Sequence, residues 1–269
     1  MDNDTTSGLV SHYRRIWLYL FVVAALFFLI LPILIVIPMS FSDSRFLDFP
    51  PDSWSLRWYR QYLTTPEWID ATFVTLQVSF FACLLSTPLG VAAAYGIHVS
   101  GWPLMKRIQV LLLLPLMVPH IIIAIGLFFV LANLHLINTL TGLIVANTML
   151  TLPFVLVTTL AGLRNFDMNQ EKVARSLGYN RFWAFILVTL PQIKGSVVSG
   201  MLFAFIIAVD EVIVALFISG GLNTTLTKIM FTALRDEIDP TIAAISSILI
   251  VTSLVVGFAA SFVNRDRRQ

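Results

Sequence analysis

Gln170-Glu171-Lys172-Val173-Ala174-Arg175-Ser176-Leu177-Gly178, followed by Val188-Thr189-Leu190-Pro191, forms the centre of a polar island running from Arg164 to Gly195 between two very apolar segments. Local rules read it as two short helices around a turn. Asp167 or Asn165 can cap the first helix, and Glu171 in its opening turns suits the positive end of the helix dipole. Val173, Ala174 and Leu177 recur at one-turn spacing as a small apolar face. Gly178 supplies the left-handed residue that ends a helix, and Asn180 is placed to cap the next. Arg181 to Leu190 then carries Phe182, Trp183, Phe185 and Ile186, apolar surface enough to pack beneath a membrane domain, with Pro191 breaking the pattern before the next apolar run. A plain connector needs neither two helices nor four large apolar side chains, so the island reads as a docking element.

The chain around it is built for lipid. Its 269 residues are 58% hydrophobic and 12% charged, with a mean hydropathy of +0.87, beyond the range of an ordinary soluble domain. A spanning helix takes about 20 mostly apolar residues, because every backbone amide must be satisfied inside the bilayer. Six runs qualify, at 16–38, 71–97, 108–131, 140–163, 196–218 and 241–263, and 164–195 is the loop between the fourth and fifth. The first run is longer than a signal-peptide core and is read as a retained helix. No internal repeat or low-complexity tract divides the chain, so residues 1–269 are expected to form a single transmembrane domain. The lone cysteine, Cys83, offers no disulfide framework or thiolate metal site and reads as a small buried hydrophobe.

Charge placement orients the bundle. Six spans put both termini on one side. That side holds Arg14, Arg15, Lys106, Arg107, Arg164, Lys172, Arg175, Arg181, Lys194, Arg265, Arg267 and Arg268, while the opposite loops hold only Arg45, Arg57, Arg60, Lys228 and Arg235 of the 17 basic residues. The positive-inside rule therefore expects both termini and the 164–195 loop in the cytoplasm. The long outer segment at 39–70, with Trp54, Trp58 and Tyr59, reads as a surface element in the aromatic belt.

Three ionisable groups fall inside apolar runs: Asp210 and Glu211 in the fifth and His120 in the third. Such groups cost about 2.5–3.5 kcal/mol on insertion scales and face a wet cavity or a partner. They are candidates for the wall of a translocation path, an acidic wall favouring a cation. A buried carboxylate bonded to a neighbouring helix, and a structural histidine in a proline-bent helix, are the competing readings. Neighbouring positions on a helix point about 100° apart, so Asp210 and Glu211 are not expected to line one cavity equally. Gln77, Asn133 and Asn147 read as interhelical hydrogen-bond partners, and Gly90, Ala92, Ala93, Ala94 and Gly96 allow close helix approach.

The docking island resembles the cytoplasmic coupling loop of ABC-importer permeases, whose pattern is Glu-Ala-Ala, three residues, Gly, nine residues, Ile-x-Leu-Pro. The likeness covers nearly the whole chain and points to the spermidine/putrescine-type group. Its landmarks here are Phe41-Ser42-Asp43-Ser44-Arg45-Phe46, Trp58-Tyr59, Pro115, Pro119 and Ile121, Leu152-Pro153-Phe154 and the Asp210-Glu211 pair. The resemblance implies an all-α, six-helix type I importer permease fold with a cytoplasmic coupling helix, in a bacterial inner membrane. It implies an ATPase dimer that carries ATP and Mg²⁺, a second and non-identical permease subunit, and a periplasmic substrate-binding protein. Glu171, Lys172, Val173, Ala174, Leu177 and Gly178 become the ATPase-coupling residues, and a polyamine or related amine the expected solute. Opines, aminophosphonates and amino-acid-like solutes are the alternative substrates. Two departures matter. Lys172-Val173-Ala174 stands where the pattern has Glu-Ala-Ala, with Glu171 one place early. His120 follows Pro119 where polyamine permeases often carry an acid.

The sequence contains no Gly-x-x-x-x-Gly-Lys-Ser/Thr loop to cradle ATP, no His-Glu-x-x-His and no Gly-x-Ser-x-Gly. No enzymatic activity, nucleic-acid partner or cofactor in this chain is expected. The alternative of a different class is a stand-alone, ion-coupled secondary transporter using Asp210, Glu211 and His120 as proton or ion sites; the long docking loop is a feature such a carrier would not require.

Overall fold

The computed structural model describes residues 16–236 and 239–265, all helix and loop apart from two isolated bridges. Arg14, Arg15, Arg267 and Arg268, which contribute to the orientation argument, lie outside those residues. Twelve α-helices are described, in chain order. Four form stretches long and apolar enough to cross a membrane: α1 (Ile16–Met39), α3 (Pro66–Val99), α6 (Leu140–Arg164), and the continuous helix Arg181–Asp210, which comprises α8 (Arg181–Ala184), a π-helical turn (Phe185–Thr189) and α9 (Leu190–Asp210). Asn147 and Pro153, which interrupt the fourth apolar run in sequence, both sit inside an unbroken α6.

Two expected spans are not single helices. The run at 108–131 is split into α4 (Leu104–Leu113), a 3₁₀ turn (Leu114–Leu116) and α5 (His120–Asn133), bent by 102° at the break. Pro115 and Pro119 each remove a backbone donor and restrict the residue before them, and two such residues four apart end the helix rather than merely kinking it. The run at 196–218 ends at Asp210 and restarts as the short α10 (Ile213–Ile218), with Glu211 extended between them. The adjacent acids are separated by that break, which sends their side chains into different surroundings. The apolar run at 241–263 is the helix α12 (Thr241–Arg265). Between these lie the short helix α2 (Arg57–Thr64), the helix α7 (Asn169–Ser176) of the candidate docking island and the amphipathic α11 (Leu226–Asp236).

The centre of the fold is the three-helix contact of α3, α6 and α9, and glycine makes it possible. A Cβ on Gly90 would lie 2.7 Å from Cβ of Val155, and one on Gly200 would lie 2.3 Å from Thr158 Oγ1 and 3.1 Å from Val155 Cα. Without a hydrophobic drive between helices in lipid, this close approach supplies the packing. Of the small residues on α3, Gly90 and Ala94 face inward, whereas a Cβ on Gly96 would meet nothing. Replacing Gly200 by leucine is therefore expected to lower the yield and the melting temperature of detergent-purified protein, by the equivalent of about 1–3 kcal/mol. An unchanged melting temperature would show that the contact is not close in the folded protein. A second core joins α5 and α10 to α3 and α6 through Val78, Ile123, Leu131, Leu143, Val214 and Ile218. α1 carries Trp17, Phe21, Phe28 and Leu29 outward, the side-chain character expected of a lipid-facing helix.

Candidate functional site

Two constellations are candidates, one at each end of the molecule. The first is the docking island. Asp167 Oδ1 accepts from the Asn169 N–H at 3.0 Å and so starts α7 from two residues ahead, while Met168 occupies the cap position itself. Asn165 does not cap α7; its side-chain amide donates back to Ala161 O at 3.2 Å and closes α6. At the far end, Gly178 has φ of +100°, its N–H donates to Arg175 O, and the Tyr179 N–H donates to Ala174 O. This is a complete Schellman closure, and its left-handed residue is the reason glycine stands there. Asn180 Oδ1 then accepts from Trp183 N at 2.9 Å, as its cap position predicts.

Pro191 does not end the second helix. Its missing N–H and its ring would leave an α-helical turn short of a bond, and the chain absorbs the defect in the π turn at Phe185–Thr189 before continuing as α9.

The six coupling candidates separate into two groups. Glu171 and Ala174 turn inward. Glu171 is only 2% exposed, and its carboxylate accepts from Tyr95 OH at 2.5 Å and from Thr189 Oγ1 at 2.6 Å. Lys172, Val173, Leu177 and Gly178 turn outward, Leu177 being 76% exposed. The expected Val173/Ala174/Leu177 face is thus divided, with Ala174 packed beneath the other two. Phe182 and Trp183 do not pack under the membrane domain either; they stand exposed with rings edge to face at 5.6 Å, and Phe185 alone of the aromatic residues packs inward, on Tyr95. The outward surface therefore combines Val173, Leu177, Tyr179, Phe182 and Trp183 with the cations Lys172, Arg175 and Arg181. Sequence periodicity located the helix but missed the bonds of Tyr95 and Thr189 to Glu171, because Tyr95 lies outside the motif and Thr189 fills its unspecified position.

The second constellation surrounds the two helix breaks. His120, the first residue of α5, places Nδ1 3.3 Å from Glu211 Oε2, an ion pair when the imidazole is protonated and a hydrogen bond when Nδ1 carries the proton of the neutral ring. Glu211 Oε1 accepts from the Val214 N–H at 2.9 Å, and Glu211 O accepts from Thr227 Oγ1 at 3.0 Å. One carboxylate thus accepts from the first turn of α10 and reaches α5 through the side chain of that helix's first residue. The far end of α10 is closed by Lys228, whose ammonium donates to Ser219 O and, at 3.4 Å, to Leu216 O. Burial lowers the pKa of this lysine from its usual value, and the two carbonyls favour the charged form in return.

Asp210 is elsewhere. It is exposed at the C-terminal end of α9, on the wall of a cavity of about 500 Å³ between α1, α3, α9 and α12, where Ile33, Leu76, Phe205, Leu249 and Ser253 are among its neighbours. It is the single ionisable group among the described residues lining that cavity, and no described residue forms an ion pair with it. A carboxylate at the negative end of a helix, without a counter-charge, is a place where a cation is favoured. The three ionisable residues singled out in the sequence are therefore divided: His120 and Glu211 are brought together, and Asp210 stands apart from them. Among the described residues no group of His, Cys, Asp and Glu could hold a metal ion.

Residues 86–269 match the family model described as binding-protein-dependent transport system inner membrane component. The spermidine/putrescine transport system permease protein PotC of Haemophilus influenzae is 28% identical over 248 residues, 92% of this chain and 95% of that protein. The putrescine transport system permease protein PotI of Escherichia coli is 26% identical over 257 residues, 93% of this chain and 91% of the relative. Among solved structures, a bacterial alginate ABC transporter in complex with alginate pentasaccharide-bound periplasmic protein contains a chain that superposes with a TM-score of 0.73 at 17% identity, over 96% of this chain and 97% of that one. That likeness concerns the fold.

Proposed function

The chain belongs to the binding-protein-dependent transport system inner membrane component family, and on that premise we propose that it is one of two non-identical pore subunits of an ATP-driven importer for a polyamine or related amine. It is a permease component and not an enzyme. In this reading the bundle spans the inner membrane six times, the bent α4–α5 pair and α12 supplying the two spans beyond the four long apolar helices. Both termini and the docking island face the cytoplasm. There the outward surface of Val173, Leu177 and Gly178 meets an ATPase subunit, two of which hold ATP and Mg²⁺. A periplasmic binding protein delivers the solute from the other side.

One observation carries the substrate reading: the unpaired Asp210 carboxylate at the negative end of α9, facing a cavity. It supports a cationic solute, as do the spermidine and putrescine systems to which PotC and PotI belong. The Glu211–His120 pair supports no ion-coupled carrier, since both groups are engaged with each other and with helix ends. The direct test is to purify the chain with its co-expressed partners and measure ligand-stimulated ATP hydrolysis over polyamines, opines, aminophosphonates and amino acids. Stimulation by spermidine or putrescine is expected; stimulation by an anionic or zwitterionic solute alone would replace the amine assignment.

Orientation has its own test. Cysteines introduced at Ser53 and Leu222 are expected to react with an impermeant maleimide in intact cells, and one at Ser176 only after permeabilisation; Cys83 is buried and can remain. Labelling of Ser176→Cys in intact cells would reverse the bundle and remove the docking argument.

A further inference from the structure

We propose that Tyr95 and Thr189 are positioning residues for energy coupling: with Glu171 they form a buried clasp that ties the docking helix to α3 and to the α8–α9 helix at one point, so that a displacement of the docking turn is delivered to both spanning helices together. The inference rests on the docking reading above and adds to it where the motion goes.

Glu171 is the interior anchor of α7. Its two oxygens are divided between elements, one taking the Tyr95 hydroxyl from the cytoplasmic end of α3, the other taking the Thr189 hydroxyl from the last residue of the π turn. Both bonds are at the short distances of hydroxyl-to-carboxylate contacts, which are stronger than neutral ones. Among the described residues no Lys or Arg forms an ion pair with the carboxylate, and two hydroxyls donate to it. The Tyr95 ring meanwhile lies 4.5 Å, centroid to centroid, from Phe185, the first residue of the same π turn. The clasp therefore grips the π turn at both its ends, Phe185 by ring contact and Thr189 by hydrogen bond.

That placement is what makes the clasp more than packing. A π turn is a local defect in a helix, often found at functional sites, and its looser winding is where a long helix most readily changes direction. The docking turn itself hangs free: a Cβ at Gly178 meets nothing, and Leu177 and Val173 are exposed. A load applied there reaches the membrane through the peptide on each side of α7, through the packing of Ala174, or through Glu171. The buried, doubly bonded carboxylate is the stiffer route, and it ends on the two helices that meet α6 in the central contact.

The test uses the complete importer in proteoliposomes, with solute uptake and ATP hydrolysis measured together. Tyr95→Phe and Thr189→Val each remove one hydroxyl with little change of shape. In both variants hydrolysis is expected to stay near the wild-type rate while solute moved per ATP falls about tenfold, and Thr189→Ser, which restores the hydroxyl, is expected to restore the ratio. Glu171→Gln is expected to lie between the wild type and these variants, because its amide oxygen can accept from one hydroxyl and its NH2 donate to the other, but in weaker, neutral bonds. An unchanged ratio in both single variants, or a loss of hydrolysis and uptake in parallel with loss of assembled complex, would overturn the clasp as a coupling device. Gly178→Asp run alongside separates the two levels: if it blocks uptake while the clasp variants do not uncouple, docking stands and this inference fails; if it does not block uptake, the docking reading itself fails.

Discussion

Gly178→Asp is expected to abolish solute uptake while the protein still inserts and folds. The reasoning lies in the contrast between the inside and the outside of the turn. Inside, the glycine is required only by its backbone: φ is +100°, and a Cβ would meet no atom of the chain within 4 Å. Forcing a side chain into a left-handed conformation costs about 1–2 kcal/mol at a single exposed turn, too little to unfold a membrane bundle. Outside, the same residue is the tip of the surface proposed to enter the ATPase groove, where a carboxylate adds both bulk and a charge that must lose its water. Burying an unpaired charge of this kind costs several kcal/mol, and each 1.4 kcal/mol is about a tenfold loss of association. Gly178→Ala, which carries the backbone strain without the charge, is expected to keep measurable uptake. Normal uptake by Gly178→Asp in a complex shown to be assembled would sink the docking assignment. Lys172→Glu, which restores the acid of the family pattern, is expected to be tolerated, since the ammonium is exposed and reaches only Asn169 Oδ1 at 3.2 Å.

Asp210→Asn and Glu211→Gln are expected to fail in different ways although the residues are adjacent. Asp210 faces the cavity without a counter-charge. Unit charges about 4 Å apart at an effective dielectric near 20 attract by about 4 kcal/mol, so even a third of that at the barrier slows a cationic solute roughly tenfold. The amount of assembled complex is expected to hold, because the neutral amide removes no bond that the fold uses. Glu211→Gln does the opposite. It takes the charge from a carboxylate that serves His120 and the Val214 N–H at once, weakening both contacts at a cost of about 1–3 kcal/mol. Lower recovery of the complex is expected, with near-normal uptake per assembled complex. Wild-type uptake by Asp210→Asn in an intact complex would remove the electrostatic role and favour a solute guided by shape. Equal loss of transport in both variants, with full assembly, would place Glu211 on the path as well.

Much of the local architecture is legible in the sequence because it obeys short-range rules. Gly178 and Asn180 end one helix and begin the next through bonds reaching at most five residues, and those bonds are present. The apolar runs that became α1, α3 and α6 follow from backbone satisfaction in lipid, which depends on length and composition alone. What periodicity could not supply is where a run breaks. The third run reads as bent by its prolines, yet the 102° turn that makes α4 and α5 separate helices needs α10 as a surface for α5 to lie against. The interruption at Glu211 has no proline to announce it; the signal available was the pair of adjacent acids, which one continuous helix in an apolar setting cannot satisfy equally.

The chain by itself thus determined the helical membrane class, the helix–glycine–helix turn of the 164–195 loop, and the identity of the ionisable residues worth asking about. Tertiary structure alone decided what each of those residues does. His120 and Glu211 are 91 positions apart in the chain and meet because two half-helices converge. Glu171 sits within a docking motif but is withdrawn from its surface, because Tyr95, 76 positions away, and Thr189, 18 positions away, offer it two hydroxyl donors. The physical reason is the same in each case. Helix formation, capping and lipid burial are settled over a few residues, whereas the fate of a buried carboxylate depends on which donors the folded chain brings within hydrogen-bond reach, and no local rule pairs them with it.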